Sequence, residues 1–438
     1  MPGPPMFFPQ RRARRTTALT LVFAGVLATG AAAGSWDAGA HDGRKATEAR
    51  APAHVAGQSG RAAVGRAGGA DEGRDEEQDG DEGALPEDDE AGRPPDPRAV
   101  EAAAGRAAAD GKSGAAAAAE VIGRSGDRWS SVYSARAYAG LERALDGVYI
   151  GVGLTARPAD GGGTEVDAVR PGGPAEREGI RAGDLIRSVD GVATEGRPVA
   201  EVVALLRGDD MAEGGADEGT PVRIGLRRSG GSWERTVYRA RLATENVAVE
   251  RLPGGREEGP GATRIRVDSF TRGTGERIRR AARTAARGEG ILLDLRGNSG
   301  GLVTEAVGAA SAFLDGGLVA TYDVPGGQRT LEAAPGGDTG PPLVVLVDGG
   351  TMSAGELLAG ALQDRGRAVV VGTRTFGKGS VQLPDRLPDG SVAELTVGHW
   401  RTPSGHAVEG RGIAPDVVVR SDAEHRARTV LSGLRGGS

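Results

Sequence analysis

Two residues towards the end of the chain have side chains that could do chemistry together, Ser353 and Lys378. Ser353 stands where an apolar strand pattern passes through glycines into a helical pattern over residues 354–363, and a hydroxyl there lies near N–H groups that can stabilise negative charge. Lys378 is one of only three lysines among 54 basic residues, with Lys45 and Lys112. A desolvated lysine can lose its proton and act as a base, which arginine cannot do. The pair predicts a serine nucleophile with a lysine base.

Each of the two residues also has a simpler interpretation. A serine at a helix start is most often an N-cap, and a lysine between glycines is most often a solvated loop residue. From position alone we favour the simpler interpretation of Ser353. The scarcity of lysine favours a functional role for Lys378, so the neighbouring motifs have to decide.

Composition excludes several classes of function. The net charge of -6 is misleading as an average, because residues 71–90 hold twelve acids and one arginine. Scattered arginines and only 3% aromatic residues argue against nucleic-acid binding. The absence of cysteine excludes disulfides, thiol catalysis and thiolate metal sites. We expect no metal and no cofactor, because no metal-ligand spacing joins the five histidines, His41, His54, His399, His406 and His425.

The N-terminal part predicts export. Four arginines precede an uncharged run over residues 16–36 whose apolar part has the length of a signal-peptide core, and the whole run could also anchor the chain in a membrane. Residues 1–36 therefore predict a signal peptide or membrane anchor and an extracytoplasmic location. Residues 37–97 are acidic and rich in Gly and Ala, which predicts a disordered linker.

The rest of the chain divides into three parts that must position the two residues. Residues 98–147 predict an N-terminal helical segment, in which we interpret Trp129 as a packing residue. Residues 148–242 alternate like strands around one helix over 199–206, with an insert over 208–220 that predicts a mobile loop. Residues 243–438 alternate strand and helix, which predicts an α/β core. Its strands are predicted at 262–268, 290–295, 342–348, 367–372 and 391–400, a hairpin at 317–332, and its helices at 275–287, 303–314 and 354–363.

Three runs in the middle unit resemble PDZ domains of bacterial proteases. They are I-G-V-G at 150–153, P-G-G-P-A at 171–175 and G-D-L-I-R-S-V-D-G at 183–191. In such domains the glycine turn presents N–H groups to the terminal carboxylate of a peptide, which adds as a strand. The resemblance implies a carboxylate-binding turn formed by Ile150, Gly151, Val152 and Gly153, and protein or peptide partners with free C-termini.

Four motifs of the core occur in an order that resembles the C-terminal processing peptidases, or tail-specific proteases. They are D-L-R-G-N-S-G-G at 294–301, T-M-S-A-G-E at 351–356, T-F-G-K-G-S-V-Q at 375–382 and G-R-G-I-A-P-D-V-V-V at 410–419. The resemblance extends from about residue 129 to the end. It implies an exported serine endopeptidase with crotonase- or ClpP-like layers of sheet and helix and a PDZ domain inserted before the core.

Roles follow from the resemblance residue by residue. Ser353 matches the nucleophile, Lys378 the general base, and Gln382, one turn further on, the residue that holds the lysine. The oxyanion donors would be the amides of Ala354 and of Gly300 or Gly301. Two positions depart from the family pattern without removing a catalytic group, Gly355 and Ser299.

Three other functions remain open from the sequence. A Ser-His-Asp hydrolase would need His399 or His406, and the turn around Ser353 lacks the G-x-S-x-G elbow. A non-catalytic PDZ scaffold would not need Lys378 and Gln382 intact. A crotonase-like acyl-CoA enzyme would not need an export signal. The sequence does not indicate an oligomeric state.

Overall fold

The structure is a computed structural model, and it describes residues 93–160, 162–208, 215–255, 261–285, 289–324 and 327–436. The predicted signal peptide or anchor over 1–36 lies outside the described residues. The same holds for the predicted linker over 37–97, apart from residues 93–97, and for residues 209–214 of the predicted mobile insert. No helix in the described part of the chain has both the length and the apolar composition needed to cross a membrane.

The N-terminal segment begins with helices that are closed by polar side chains. Asp96, Ser113 and Ser134 each accept a backbone N–H from the first turn of the helix that follows, as N-caps do. Gly126 adopts a left-handed conformation and ends the second helix. The segment consists of α1 (Pro97–Ala109), α2 (Gly114–Ser125), β1 (Ser131–Tyr133) and α3 (Ala135–Leu145).

The helical pattern predicted over 98–146 is wrong at β1. Residues Ser131–Tyr133 form a strand that pairs antiparallel with residues 392–394 near the end of the chain. Val132 and Tyr133 suit a strand, and the partner strand comes from a part of the sequence that no local pattern could reveal. Tertiary pairing therefore overrides the helical context on both sides.

The middle unit is mainly β, as predicted. A sheet of order β3-β4-β5-β7-β8, with β6 beside β5, packs its buried face against α5, and β2 pairs with β9. Its elements are β2 (Val148–Gly151), β3 (Leu154–Pro158), β4 (Thr164–Val169), α4 (Pro174–Arg177), β5 (Leu185–Val189), β6 (Val192–Ala193), α5 (Val199–Arg207), β7 (Pro221–Arg228), β8 (Gly231–Tyr238) and β9 (Ala240–Ala243).

The two chain connections between this unit and the rest of the protein are adjacent. Val148 lies opposite Ala243 in the β2–β9 pair, and the Thr244 N–H donates to the Gly147 carbonyl at 2.7 Å. The two connections therefore lie side by side. The unit is an insertion carried on a single two-stranded ribbon.

The core contains a mostly parallel sheet of order β10-β11-β12-β15-β16-β19, in which only the β10–β11 pair is antiparallel. Its elements are β10 (Val247–Leu252), β11 (Ala262–Val267), α6 (Thr274–Thr284), β12 (Gly290–Asp294), α7 (Val303–Phe313), β15 (Leu343–Val347), α8 (Ala354–Asp364), β16 (Val369–Gly372), β19 (Val417–Val418) and α9 (Ala423–Gly436). Each strand and helix predicted for this part is present with its ends shifted by a few residues.

Both faces of this sheet are covered. Every residue of β12 and β15 is buried, which is typical of strands between two layers of helix. Leu293 and Val345 belong to the large apolar cluster formed with α6, α7 and α8, whereas their neighbours Leu292 and Val344 pack with Leu431 of α9. Helices therefore pack against β12 and β15 on both faces of the sheet.

A second sheet contributes the other wall of the core. Its order is β1-β18-β13-β14, with β17 paired to β18. Its strands are β13 (Gly317–Val324) and β14 (Gly327–Ala333), which form the predicted hairpin, and β17 (Ser380–Arg386) and β18 (Val392–Arg401). The sequence did not predict β17, and Gln382 therefore lies on a strand rather than one helical turn beyond Lys378.

Candidate active site

Ser353 stands between β15 and α8 with an unusual backbone. Its φ of 54° and ψ of -111° are a strained combination for a residue with a side chain, and such residues cluster at functional sites. The side chain is fully buried, yet the hydroxyl oxygen has no hydrogen-bond partner among the described residues. The hydroxyl is therefore not used as a helix cap, which was the simpler interpretation of this serine.

Lys378 is also fully buried, in the loop between β16 and β17. Burial lowers its pKa from 10.5 to about 8, because an ammonium group is poorly solvated there. The negative charges of four carboxylates raise the lysine pKa and so oppose this effect; from the largest contribution to the smallest they are Glu394, Glu409, Asp127 and Glu356. A lysine in this state has an appreciable neutral fraction near neutral pH, and a neutral amine can accept a proton.

Glu356 joins the two residues and received no role from the sequence. One of its oxygens, Oε2, accepts the N–H of Ser353 at 2.8 Å and that of Lys378 at 2.9 Å. The other, Oε1, accepts the Thr375 hydroxyl at 2.5 Å and the Gly377 N–H at 2.7 Å. Burial raises the pKa of Glu356 and these hydrogen bonds act to lower it. The carboxylate fixes both backbones relative to each other.

A signal for Glu356 is present in the sequence. Ser353 and Glu356 have the S-x-x-E spacing of a capping box, in which the glutamate accepts the N–H of the capping residue. The structure contains that half of the motif. The spacing alone does not reveal that the second oxygen and the loop of Lys378 also meet there.

The loop after β12 brings Gly300 against Ser353. A Cβ built on Gly300 would lie 3.1 Å from Ser353 Cβ and 3.5 Å from the backbone nitrogen of Ala354. Buried Asn298 holds this loop, since its carbonyl accepts the Met352 N–H at 2.9 Å. The glycine loop and the start of α8 therefore form one surface around the hydroxyl.

The two candidate glycines differ in how their N–H groups are used. Gly300 donates its N–H to Asn298 Oδ1 at 2.9 Å. Gly301 forms an isolated β-bridge with Phe270. Its two hydrogen bonds run from the Phe270 N–H to the Gly300 carbonyl and from the Leu302 N–H to the Phe270 carbonyl, so the Gly301 N–H takes no part in it. The Gly300 N–H is therefore engaged within its own loop, whereas the hydrogen bonds of this bridge leave the Gly301 N–H unused.

Gln382 lies near the lysine loop but has other partners. Its Nε2 donates to Ser380 Oγ at 2.9 Å and to Thr396 Oγ1 at 3.2 Å. Its Oε1 is buried and has no hydrogen-bond partner among the described residues. The structure therefore gives no hydrogen bond from Lys378 to Gln382 Oε1, and the role of Gln382 stays a prediction.

Trp129 covers the lysine, which the sequence did not predict. Its ring centroid lies 4.8 Å from Lys378 Nζ and 6.1 Å from the ring of half-exposed Phe376. Its indole N–H donates to Glu409 Oε1 at 2.7 Å, and Glu409 Oε2 accepts the Gly379 N–H at 2.8 Å. Trp129 is thus tied to the loop that carries the lysine, and it forms part of the apolar surroundings that lower the lysine pKa.

Trp129 is held in place by what we call the docking segment, residues 127–133. Asp127 accepts the N–H groups of Trp129 and Ser130, which makes a tight turn. Ser130 Oγ accepts the Thr396 N–H at 2.9 Å, and β1 continues the pairing along β18. A segment from the start of the described chain therefore closes one side of the site.

The predicted carboxylate-binding turn lies in the middle unit rather than in this cluster. Ile150 and Gly151 end β2, paired with β9, and Val152 has its side chain in the apolar core of the unit. Gly153 has a φ of 76°, which favours glycine at this turn. The carboxylate-binding role of this turn stays a prediction.

The structure does not join the histidine alternatives to Ser353. His399 lies opposite Ser380 in the β17–β18 pair, and His406 Nε2 lies 3.1 Å from the Gly412 carbonyl oxygen. The Ser353 hydroxyl hydrogen-bonds to neither of them. In the described residues, no group of three His, Asp or Glu side chains is arranged to hold a metal ion.

Comparison with known proteins identifies the two folded units. The profile of peptidase family S41 matches residues 262–419, and that of the PDZ domain matches residues 165–212. A chloroplastic C-terminal processing peptidase of Tetradesmus obliquus is 36% identical over 67% of this chain. The carboxy-terminal processing protease CtpA of Bacillus subtilis is 32% identical over 63% of this chain.

These matches are partial in length. The alignments span 66% of the algal relative and 57% of the bacterial one. A solved structure of a photosystem II D1 C-terminal processing protease is 30% identical and covers 73% of this chain and 86% of that one, with a TM-score of 0.45. The predicted fold class, an α/β peptidase core with an inserted, mainly β PDZ domain and an N-terminal helical segment, is confirmed. The chain belongs to peptidase family S41 and carries a PDZ domain, and its relatives in that family are C-terminal processing peptidases.

Proposed function

We propose that this protein is an exported serine endopeptidase that recognises protein C-termini through its PDZ domain and cleaves near them with a Ser353–Lys378 dyad. The observation that carries the proposal is the shared oxygen of Glu356, which holds the backbones of Ser353 and Lys378 together. A buried hydroxyl without a partner and a buried lysine of lowered pKa are the two groups that a Ser-Lys mechanism requires.

The chemistry follows from the states of these two groups. The neutral amine of Lys378 takes the proton of the Ser353 hydroxyl as its oxygen attacks the scissile carbonyl carbon. The same proton then passes from the ammonium to the leaving amine, which departs as the acyl-enzyme forms. Water repeats these steps to release the acid. Because the neutral amine is the active form, activity rises as the pH passes upward through the lysine pKa of about 8.

The oxyanion of each tetrahedral intermediate needs donors fixed in advance. Ala354 is the first residue of α8, so its N–H has no partner within the helix and lies at the positive end of the helix dipole. The Gly301 N–H is the second donor in this proposal, because the Gly300 N–H already donates to Asn298. The glycine loop lies against the nucleophile, as such a site requires.

Recognition of C-termini rests on the PDZ domain and on the names of the relatives. PDZ domains bind a terminal carboxylate at a glycine turn while the peptide adds as a strand. The turn formed by Ile150, Gly151, Val152 and Gly153 precedes β3, and α5 contacts that strand. Substrates would be proteins or peptides with free C-termini. Export rests on the arginines and the apolar run within residues 1–36, with a membrane anchor as one form of that signal.

The test is turnover of a peptide with a free, apolar C-terminus by four variants. Ser353→Ala and Lys378→Arg should each lower kcat/KM by about a thousandfold or more, since an arginine cannot become neutral. Ser232→Ala and Lys112→Arg are matched controls, because both residues are exposed and distant in sequence from the site. Near-normal turnover by Lys378→Arg would show that the dyad assignment is wrong. Normal turnover by Ser353→Ala would exclude any serine mechanism at this site.

A further inference from the structure

Glu394 is a buried carboxyl group for which the proposed mechanism has no use. It lies in the middle of β18, its side chain is fully buried, and neither of its oxygens has a hydrogen-bond partner among the described residues. An ionised carboxylate in such a place is unfavourable for stability, and an apolar residue would fit a sheet interior better. A group of this kind therefore calls for a functional explanation.

The pairing of strands shows which residues share a face with Glu394. It lies directly opposite Ser131 of β1 and Pro384 of β17. Residues opposite each other in a sheet share a face, and so do residues two apart on one strand. Thr396 and its partner Gln382 are therefore on the same face, next to Glu394. Gln382 Oε1 is the other buried oxygen on this face without a partner.

The charged and titratable groups around Glu394 come from several elements. Lys378 precedes β17, Tyr133 is on β1 and Tyr138 is on α3. The positive charge of Arg386, at the far end of β17, lowers the pKa of Tyr138. Burial, followed by the charge of Glu394, raises the pKa of both tyrosines, that of Tyr138 to about 12, so they stay neutral near neutral pH.

On the opposite face of β18, the residues on either side of Glu394 are apolar. Ala393 and Leu395, on either side of it, pack in an apolar cluster with α1 and α2. Burial raises the pKa of Glu394 to about 7, and the positive charge of Lys378 acts against this rise. Glu394 is also the first of the carboxylates that raise the pKa of Lys378. The two groups therefore titrate as a coupled pair.

We propose that Glu394 is a positioning residue that determines whether the Lys378 amine carries its proton. The inference rests on the proposed function, in which the neutral amine is the base. An ionised Glu394 stabilises the ammonium form and so delays the appearance of the active amine to higher pH. The Glu394 and Lys378 side chains are both fully buried, so water screens the interaction between the two charges little.

The test is the pH dependence of kcat/KM in Glu394→Gln, which keeps the shape and removes the charge. The charge of a nearby carboxylate can raise a lysine pKa by about one unit or more. The acid limb of the profile should therefore shift to lower pH by about one unit, and kcat/KM at a given pH on that limb should rise about tenfold. Asp385→Asn is the matched control, because Asp385 lies opposite Ala393 and faces away from Glu394. Its profile should match that of the unmodified protein.

Other outcomes are equally informative. A uniform loss of kcat/KM with an unchanged midpoint would mean that Glu394 is only structural, and would overturn the inference. An unchanged profile in Glu394→Gln, with Lys378→Arg inactive, would overturn the inference and leave the proposed function standing. Activity in Lys378→Arg would overturn both. If Glu394→Gln does not fold, Glu394→Met removes the same charge with an apolar side chain of similar length and should show the same shift; an unshifted limb there would overturn the inference.

Discussion

At the scale of single residues, the site depends on a carboxylate that does no chemistry in the proposed mechanism. Glu356 is fully buried and accepts four hydrogen bonds, from Ser353, Thr375, Gly377 and Lys378. These contacts hold the strained backbone of Ser353 and the lysine loop together. The hydroxyl of Ser353 has no hydrogen-bond partner among the described residues, although its backbone N–H donates to Glu356.

Replacing Glu356 by Gln should damage both stability and catalysis. The amide nitrogen of Gln would face two N–H or O–H donors, leaving buried donors unsatisfied, at a cost of about 2–4 kcal/mol of unfolding free energy. The loss of fixed geometry should also lower kcat/KM. Urea unfolding and peptide turnover measure the two effects separately.

The control for this variant is Glu305→Gln. Glu305 also accepts two backbone N–H groups, those of Gly273 and Gly275, at the start of α6, and it has no hydrogen bond to Ser353 or to the lysine loop. It should lose stability while the folded protein keeps its kcat/KM. Full activity in folded Glu356→Gln would contradict the role given to this carboxylate.

The sequence supplied some of these residues and not others. Ser353 and Lys378 could be singled out because lysine is rare in this chain and because the motifs around both residues resemble those of the C-terminal processing peptidases. Glu356 was visible only as a capping-box spacing. Glu394 could not be predicted, because alternation along β18 does not show that β1, from the other end of the described chain, covers that strand.

At the scale of elements, two of the strands that the sequence missed, β1 and β17, lie next to the site. β17 contains Pro384, which argues against a strand within a sheet. Among the described strands, however, β17 pairs with β18 alone and so forms an edge, where proline is tolerated. β1 has three residues and no periodicity to detect. The buried strands β12 and β15 were predicted well, because continuous apolar runs between turn residues indicate them directly.

We expect the docking segment to influence the pKa of Lys378 through Trp129. Burial is the largest cause of the lowered lysine pKa, whereas the attraction between the ring and an ammonium is worth about 0.5–2 kcal/mol in the opposite direction. We expect burial to dominate. Trp129→Ala should therefore admit water, raise the lysine pKa towards 10.5 and move the acid limb of kcat/KM to higher pH.

Trp129→Phe is the control, since it keeps an aromatic face over the amine and should move the limb less. The shift expected for Trp129→Ala, to higher pH, is opposite to that expected for Glu394→Gln. One variant should therefore raise the pKa of Lys378 and the other should lower it. A shift of the limb to lower pH in Trp129→Ala would mean that the ring chiefly stabilises the ammonium.

At the scale of the whole molecule, the PDZ domain is attached so that it could be removed without breaking the core. Gly147 and Thr244 are joined by a hydrogen bond of 2.7 Å at the base of the β2–β9 ribbon. On the outer side, Arg136 of α3 contacts the Gly215 carbonyl and, at 3.2 Å, Asp217. That ion pair is exposed and so contributes little. A module held by one ribbon and weak polar contacts can swing as a hinged body.

We expect this hinge to regulate cleavage, with the PDZ domain acting as a lid over the Ser353–Lys378 site until a tail binds. A bound carboxylate would favour the open state only through a difference in affinity between the two states. Replacing residues 148–242 by a short linker should therefore give a core that cleaves unstructured peptides indiscriminately, with equal rates for free-acid and amidated C-termini. The full chain should prefer the free acid. Circular dichroism and thermal melting establish that the shortened protein is folded, and combining the deletion with Ser353→Ala shows that any cleavage arises at this site. A folded deletion variant that cleaves nothing would make the PDZ domain an activator and exclude the lid.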